Sequence, residues 1–307
     1  MTEYKQYNIV IRESPNHFSP IGVDWWKGFN ALKHKTTIVY NNNDLYQHDC
    51  NIDLFVNMMD ITDPDVTYYI NLLKKINPTA KVVSTVVRPL DKLIKYFDLV
   101  DLWFDCGYKH PYYEEWFTDN NQRFLSVLEA TDDTCFFKGS IEDESYIRDY
   151  SFIGQFGQRG HGYRCEDKYL YPLIDNNALT SYLFGFEYKH IPLQHINYID
   201  VNTIFNCTKI NLNFHYLDQK NDKLVLNKRT FDIAASGNFQ LIDHPLYEDL
   251  FGLKAYPNHM DYIDAFYYYL ARPEERNLIA LQAQKIVLNK HTWSVRMKNL
   301  LNDVYNL

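Results

Sequence analysis

Cysteine, phosphate-binding glycine motifs, positive charge and long apolar runs are all scarce in this 307-residue sequence. The five Cys, at 50, 106, 135, 165 and 207, are scattered, odd in number and never spaced as CxxC. That excludes a CxxC zinc site and a disulfide framework as organising elements, and reduced thiols in the cytoplasm are the expected state. No apolar window reaches the ~18 residues that a membrane span needs. The start, "MTEYKQYNIVIRES", lacks the apolar core of a signal peptide. Lys and Arg total 31 against 39 Asp and Glu, a net charge of -8. This counts against a general binder of nucleic acid or anionic membrane, whose affinity rests on cations. There is no P-loop ending in Gly-Lys-Ser/Thr, and no GxGxxG follows the first strand, which disfavours an NAD-linked enzyme.

What is present is an alternation. Hydrophobic residues make up 46% of the chain, enough for sizeable cores, and the length suits two domains. "YNIVIR" (7–12), "TTIVY" (36–40), "DLFVNMM" (53–59), "AKVVSTVV" (80–87), "LVDLWFD" (99–105) and "RFLSVL" (123–128) read as strands. Between them lie helical segments at 22–32, 63–76, 89–97 (with Pro89 in its first turn) and a short one at "PYYEEWF". The acidic stretch 129–147 reads as a linker, after which the alternation restarts with strands at 149–154, 180–186 and 209–215. Helices are expected at 166–174, 197–208, roughly 258–271 and 274–289, with Thr292 as N-cap of the last helix. The expected fold is α/β, with two Rossmann-like domains of parallel strands, each with helices on both faces. The expected boundaries are 1–145, 146–290 and a C-terminal helix at 291–307.

Two stretches of the second half point to an anion. "SFIGQFGQRGHGYR" (151–164) holds Gly154, Gly157, Gly160 and Gly162 between a strand and a helix, with Arg159 and Arg164 among them. Glycines there let backbone N–H groups approach a diphosphate, and the helix N-terminus adds partial positive charge. The competing reading is a loop with solvated arginines. "LNKRTFDIAASGNFQLID" (226–243) sets Lys228 and Arg229 at the start of a helix, where cations oppose the macrodipole. An anionic ligand would relieve that conflict. Asp232, one turn on, suits a pair of ribose hydroxyls. The competing reading is a surface ion pair worth about 0–1 kcal/mol.

These residues resemble CgeB-like glycosyltransferases, GT-B-fold enzymes grouped with the spore-maturation protein CgeB. The likeness covers roughly 149–303. It rests on "DYSFIGQ", "NLNFH", "NKRTFDIAASGNFQLIDHPLYEDLF", the "PEER" helix and "HTWSVR". It implies two Rossmann-like domains facing a cleft, with C-terminal helices packing back across it. It also implies a nucleoside-diphosphate sugar (UDP- or GDP-linked) held by the second domain with no obligatory metal. By position, Arg229 would contact the diphosphate with Arg159 or Arg164 opposite. Asp232 would hold the ribose where the family more often has Glu, and Gly237 would permit a close turn. Gly154, Lys228 and Thr230 complete this side, and His215 either bonds a donor phosphate or caps its strand. The pair of acids eight residues apart found in retaining relatives is absent, because Leu224 stands at the first position.

The first domain should hold the acceptor. The loop "ESPNHFSPIGVDWW" (13–26) carries Glu13, His17 and Asp24 beside Trp25 and Trp26. A general base must come within hydrogen-bond reach of the acceptor hydroxyl, and His17 and Asp24 are its candidates. Asp24 also reads as an N-cap and His17 as a plain surface residue. His110, Tyr112 and Tyr113 are further candidates for the acceptor side. The one DxD, Asp63-Pro64-Asp65, reads as a helix cap rather than a metal site. The expectation is therefore a glycosyltransferase acting on a glycan, protein or small-molecule hydroxyl. Its alternatives are a non-catalytic protein that keeps the fold, or an enzyme acting on modified bases of nucleic acid.

Overall fold

Parallel strands need crossover helices and covered faces, so apolar runs alternating with helical segments build parallel sheets. The computed structural model describes residues 5–13, 21–41, 43–44, 51–105, 111–140, 144–154, 166–184, 196–197, 200–222 and 225–306. The chain forms two compact units, residues 1–128 with 293–307, and residues 129–292.

The first unit carries β1 (Asn8–Arg12), α1 (Ile21–Ala31), β2 (Lys35–Val39), β3 (Leu54–Asn57), α2 (Pro64–Ile76), β4 (Lys81–Thr85), β5 (Leu102–Asp105), α3 (Pro111–Asp119) and β6 (Phe124–Ser126). Its strands lie parallel in the order β2-β1-β3-β4-β5-β6. The register sets Ile9 between Thr36 and Leu54. Val10, Phe55, Val82 and Trp103 pack against Tyr69, Ile70 and Leu73 of α2. Asp63 caps α2 by accepting the Asp65 N–H at 2.9 Å, with Pro64 at the first helical position. In place of the α-helix expected at 89–97, Leu90–Leu99 winds as a 3-10 segment that starts after Pro89.

The C-terminal helix (Trp293–Tyr305) belongs to this unit and crosses α1 at a glycine. A Cβ on Gly28 would lie 2.7 Å from both the Trp293 carbonyl oxygen and Met297 Cγ. Tyr305 stacks on Tyr7 at 4.4 Å and donates its hydroxyl to the Asp53 carbonyl. The Arg296 guanidinium donates to the Leu128 carbonyl at 3.2 Å.

The second unit carries β7 (Arg148–Ile153), α4 (Glu166–Tyr169), α5 (Tyr171–Ile174), β8 (Ser181–Phe184), α6 (Val201–Asn206), β9 (Thr208–Asn213), α7 (Leu217–Asp222), α8 (Lys228–Ala235), β10 (Gln240–Ile242), α9 (Leu246–Phe251), α10 (His259–Leu270) and α11 (Pro273–Lys290). The strands are parallel in the order β10-β9-β7-β8. The chain steps from β7 to β8, then crosses to the other side for β9, so strand order reverses between β7 and β9. Phe214 stacks on Phe152 at 4.4 Å and on Tyr169 at 5.6 Å. The stretch read as a linker packs in at its start: Ala130, Thr131 and Phe136 are buried, and Phe136 meets Phe205. Gly237 ends the α8 turn at φ +65°, and a Cβ there would lie 2.7 Å from Gln284 Nε2. The left-handed φ favours glycine, whereas Gln284 is a flexible side chain that could move aside.

Helix crossings at a glycine tolerate little volume. Gly28→Ala is expected to cost about 1–3 kcal/mol by overpacking. Gly139→Ala, whose Cβ would find its nearest neighbour 3.6 Å away, should stay within about 0.5 kcal/mol of the parent. Thermal unfolding of the two variants side by side checks the crossing; equal melting temperatures would refute it.

Candidate functional site

Open parallel sheets bind ligands outside the carboxyl ends of their strands, where strand order reverses. In the second sheet that point lies between β7 and β9, and Arg229 reaches it. Asn227 caps α8 by accepting the Thr230 N–H at 3.1 Å, which fixes the first turn from which Arg229 projects. Arg229 donates through Nη2 to the Phe214 carbonyl at 3.2 Å and through Nη1 to the Ile153 carbonyl, the groups that end β9 and β7. Its Nε donates to Asn213 Oδ1 at 3.1 Å, and its guanidinium lies 4.6 Å from the Phe152 ring centroid. Gly154 follows β7 directly, its N–H on the Phe184 carbonyl.

Asn213 is the hub of this arrangement. Its Oδ1 also accepts from Asn227 Nδ2 at 3.1 Å, and its Nδ2 donates to Thr230 Oγ1 at 2.9 Å and Gln240 Oε1 at 2.8 Å. Gln240 in turn donates to the Thr230 carbonyl. A fully buried amide needs all its partners, and Asn213 has them, so Thr230 and Arg229 are held by one rigid network.

Lys228 diverges from its neighbour. Its Nζ lies 3.0 Å from both oxygens of Asp232, and 5.1 Å from the Phe136 ring centroid. Thr131 donates its hydroxyl to the same carboxylate at 2.9 Å. Asp232 is buried, and that burial pushes its carboxyl above the usual range even though Lys228 and Thr131 pull the other way. The two adjacent cations therefore face different partners: Arg229 the strand ends, Lys228 the buried acid and the start of the unit.

His215 sits just past β9 and is fully buried. Its backbone N–H and its Nδ1 both meet Asp243 Oδ1, at 2.9 and 3.0 Å, and its Nε2 accepts the Asn227 N–H at 3.4 Å. Both ring nitrogens are thus engaged within the protein.

Of the acceptor-side residues, Asp24 lies in the first turn of α1, inside the helix that starts at Ile21, so it does not cap that helix. Its side chain is buried. Glu13 follows β1 and accepts the Gly22 N–H at 2.7 Å. Trp25 and Tyr113 are core residues, whereas Trp26 and Tyr112 are exposed. His17, His110, Arg159 and Arg164 lie outside the described residues. Among the described residues no group of three His, Cys, Asp or Glu is placed to hold a metal ion, and no helix is long and apolar enough to cross a membrane. Sequence reasoning missed Asn213, Asn227, Gln240 and Asp243. The available signal was polar residues inside or ending otherwise apolar strands, where an uncompensated polar group is costly.

Residues 168–302 match a family model described as glycosyl transferase-like. No curated protein matches the sequence. Among solved structures, an alpha-glucosyltransferase in complex with UDP-glucose and DNA containing an abasic site is similar with a TM-score of 0.65 at 11% identity, covering 98% of this chain and 100% of that one. A sucrose-phosphate synthase from Thermosynechococcus elongatus gives 0.59 at 7% identity, covering 98% of each chain. A candidate UDP-N-acetylglucosamine 2-epimerase from Listeria monocytogenes gives 0.57 at 8% identity, covering 98% of this chain and 96% of that one. These likenesses establish the fold, and the family match falls on the segment that holds Arg229, Asn213 and Asp232. Residues 168–302 thus carry a glycosyl transferase-like domain, in a chain with the fold of GT-B glycosyltransferase structures.

Proposed function

We propose that this chain is a CgeB-like glycosyltransferase that moves a sugar from a UDP- or GDP-linked donor to a hydroxyl of a glycan, protein or small molecule. The observation that carries this reading is Arg229, a cation held by the carbonyls that end β7 and β9 at the reversal of the second sheet. As the acceptor oxygen bonds to the anomeric carbon, the bond to the diphosphate breaks and its electron pair leaves with the diphosphate oxygen. Preorganised cations stabilise that developing charge. Arg229, Lys228 and either Arg159 or Arg164 fill this role, and no metal is required. Gly154 leaves the end of β7 open to a ligand, Thr230 braces Asn213 behind Arg229, and Gly237 forms the turn at the far end of α8. Asp232 holds the ribose, in exchange for part of its Lys228 pairing when a diphosphate draws that lysine to itself. His17 or Asp24 takes the acceptor proton.

A second acceptor class has one observation behind it. The solved neighbour with UDP-glucose also holds DNA, which fits a reading in which the acceptor is a modified base. The net charge of -8 weighs against it, and duplex binding that weakens steeply with salt would be its signature.

Arg229→Ala should lower kcat/KM about 10–100-fold, the loss of one or two charge-assisted hydrogen bonds, and Arg229→Lys should recover part of it. Turnover unchanged in Arg229→Ala would sink the assignment. UDP or GDP at 100 times its dissociation constant should add about 2.7 kcal/mol of stability, in a panel of nucleoside diphosphates read by melting temperature. Asp232→Asn should weaken UDP more than inorganic pyrophosphate, whose affinity follows Lys228 alone; equal weakening of both would remove Asp232 from the ribose.

A further inference from the structure

The carboxyl ends of β9 and β10 hold a chain of hydrogen bonds and one ion pair that the transfer step above does not use. It starts at Tyr169 on α4, whose hydroxyl donates to the Pro257 carbonyl at 2.7 Å and accepts from Lys220 Nζ at 2.7 Å. Lys220, on α7, pairs with Asp243 Oδ2 at 2.9 Å. Asp243, just past β10, is fully buried, and its Oδ1 meets both the N–H and the Nδ1 of His215. His215 Nε2 completes the chain on the backbone N–H of Asn227.

The direction of each bond follows from its partners. A backbone N–H can only donate, so Nε2 accepts and is unprotonated. A carboxylate can only accept, so Nδ1 carries the proton. Burial keeps this ring neutral, its pKa lowered to about 4 although Asp243 favours the charged form. The charged and titratable groups around it are Asp243, the His244 ring at 4.8 Å, Arg229, and Lys220 beyond Asp243. Asn227 is the cap from which α8 starts, and it shares the acceptor Asn213 Oδ1 with Arg229. A shift of Asn227 therefore moves the acceptor that orients the guanidinium.

We propose that His215 is a positioning residue for the donor site: its Nε2 holds the N-cap of the Arg229 helix, and Asp243 with Lys220 sets its tautomer. This rests on the donor reading above but gives His215 a different role from a phosphate contact, because donating to a phosphate would require giving up Asp243 or Asn227. The chain also joins the two flanks of the reversal point, since Tyr169 lies on the helix that follows β7 and Lys220 on the helix that follows β9.

The experiment compares His215→Phe, which removes the acceptor, with His215→Gln, which returns an amide oxygen near the place of Nε2. UDP, with GDP in parallel, is the probe in titration calorimetry. His215→Phe should weaken binding about tenfold, and His215→Gln should stay within about twofold, as expected for one lost hydrogen-bond acceptor. A His215→Phe protein that binds like the parent overturns the proposal alone; a parent that binds neither nucleotide overturns the donor reading and the proposal with it. Should the Phe variant fail to fold, nitrogen NMR of the parent at neutral pH still decides. A protonated Nδ1 with a bare Nε2 supports the proposal, and a protonated Nε2 overturns it. Between pH 6.5 and about 4 the unfolded chain takes up a proton on this imidazole that the folded chain refuses. The parent's stability should therefore fall as pH drops through that window, and His215→Gln should lack that share of the fall. A fall of equal size in both proteins counts against a buried neutral ring.

Discussion

The hydrogen bonds between Arg229 and the strand-ending carbonyls of Ile153 and Phe214 are the constraint on which the second unit's site depends. Parallel strands end with carbonyl groups that have no further ladder partner, and at the reversal of strand order two such ends lie side by side with no crossover helix between them. A guanidinium, with five donors in a fixed fork, can satisfy several of these acceptors at once. Its charge is then held at the reversal point, where ligands of open α/β sheets bind. The same contacts remove the conflict of a cation at a helix N-terminus, because the guanidinium leaves the helix axis for the strand ends.

Around this contact the packing is polar and closed. Asn213 holds Arg229 and Thr230, Gln240 holds Asn213, and the His215–Asp243–Lys220 chain holds the cap behind them. A buried network of this kind is rigid when every member is satisfied, and rigidity is what the proposed role of Arg229 requires. The Lys228–Asp232 pair is built differently. Its acid is pushed toward protonation by burial, so its ion pair is a local balance that an incoming anion can redistribute. The first unit shows a related device by itself. Arg12, the last residue of β1, donates to the Glu13 carbonyl at 2.7 Å and to the Val39 carbonyl at 3.5 Å, again at the carboxyl end of a parallel sheet.

Local signals in the sequence were legible where one short stretch contains the whole cause. Asp63-Pro64-Asp65 declares a cap because the capping oxygen, the proline and the receiving N–H lie within three residues. Gly237 declares a turn because it stands between a helical run and a strand. Arg229 was legible as a candidate site residue from its place after a strand and before an apolar helix. The parts that were not legible depend on partners far along the chain. Thr131 meets Asp232 across 101 residues of sequence, and this is why a stretch read as linker packs into the second unit. The helix expected at 22–32 begins at Ile21, which puts Asp24 inside its first turn and not at its cap.

The sequence by itself determined the alternation of strands and helices, and with it two parallel sheets, because hydrophobic period and helix punctuation act over a few residues. It also determined which residue types stand at the strand ends. Tertiary structure alone decided where their side chains point. Adjacent cations at 228 and 229 diverge because helical geometry turns successive residues by about 100°, so one meets a buried acid and the other the strand ends. The tautomer of His215 was decided by a carboxylate 28 residues away and a backbone N–H 12 residues away, neither of which can be chosen without the fold that brings them together.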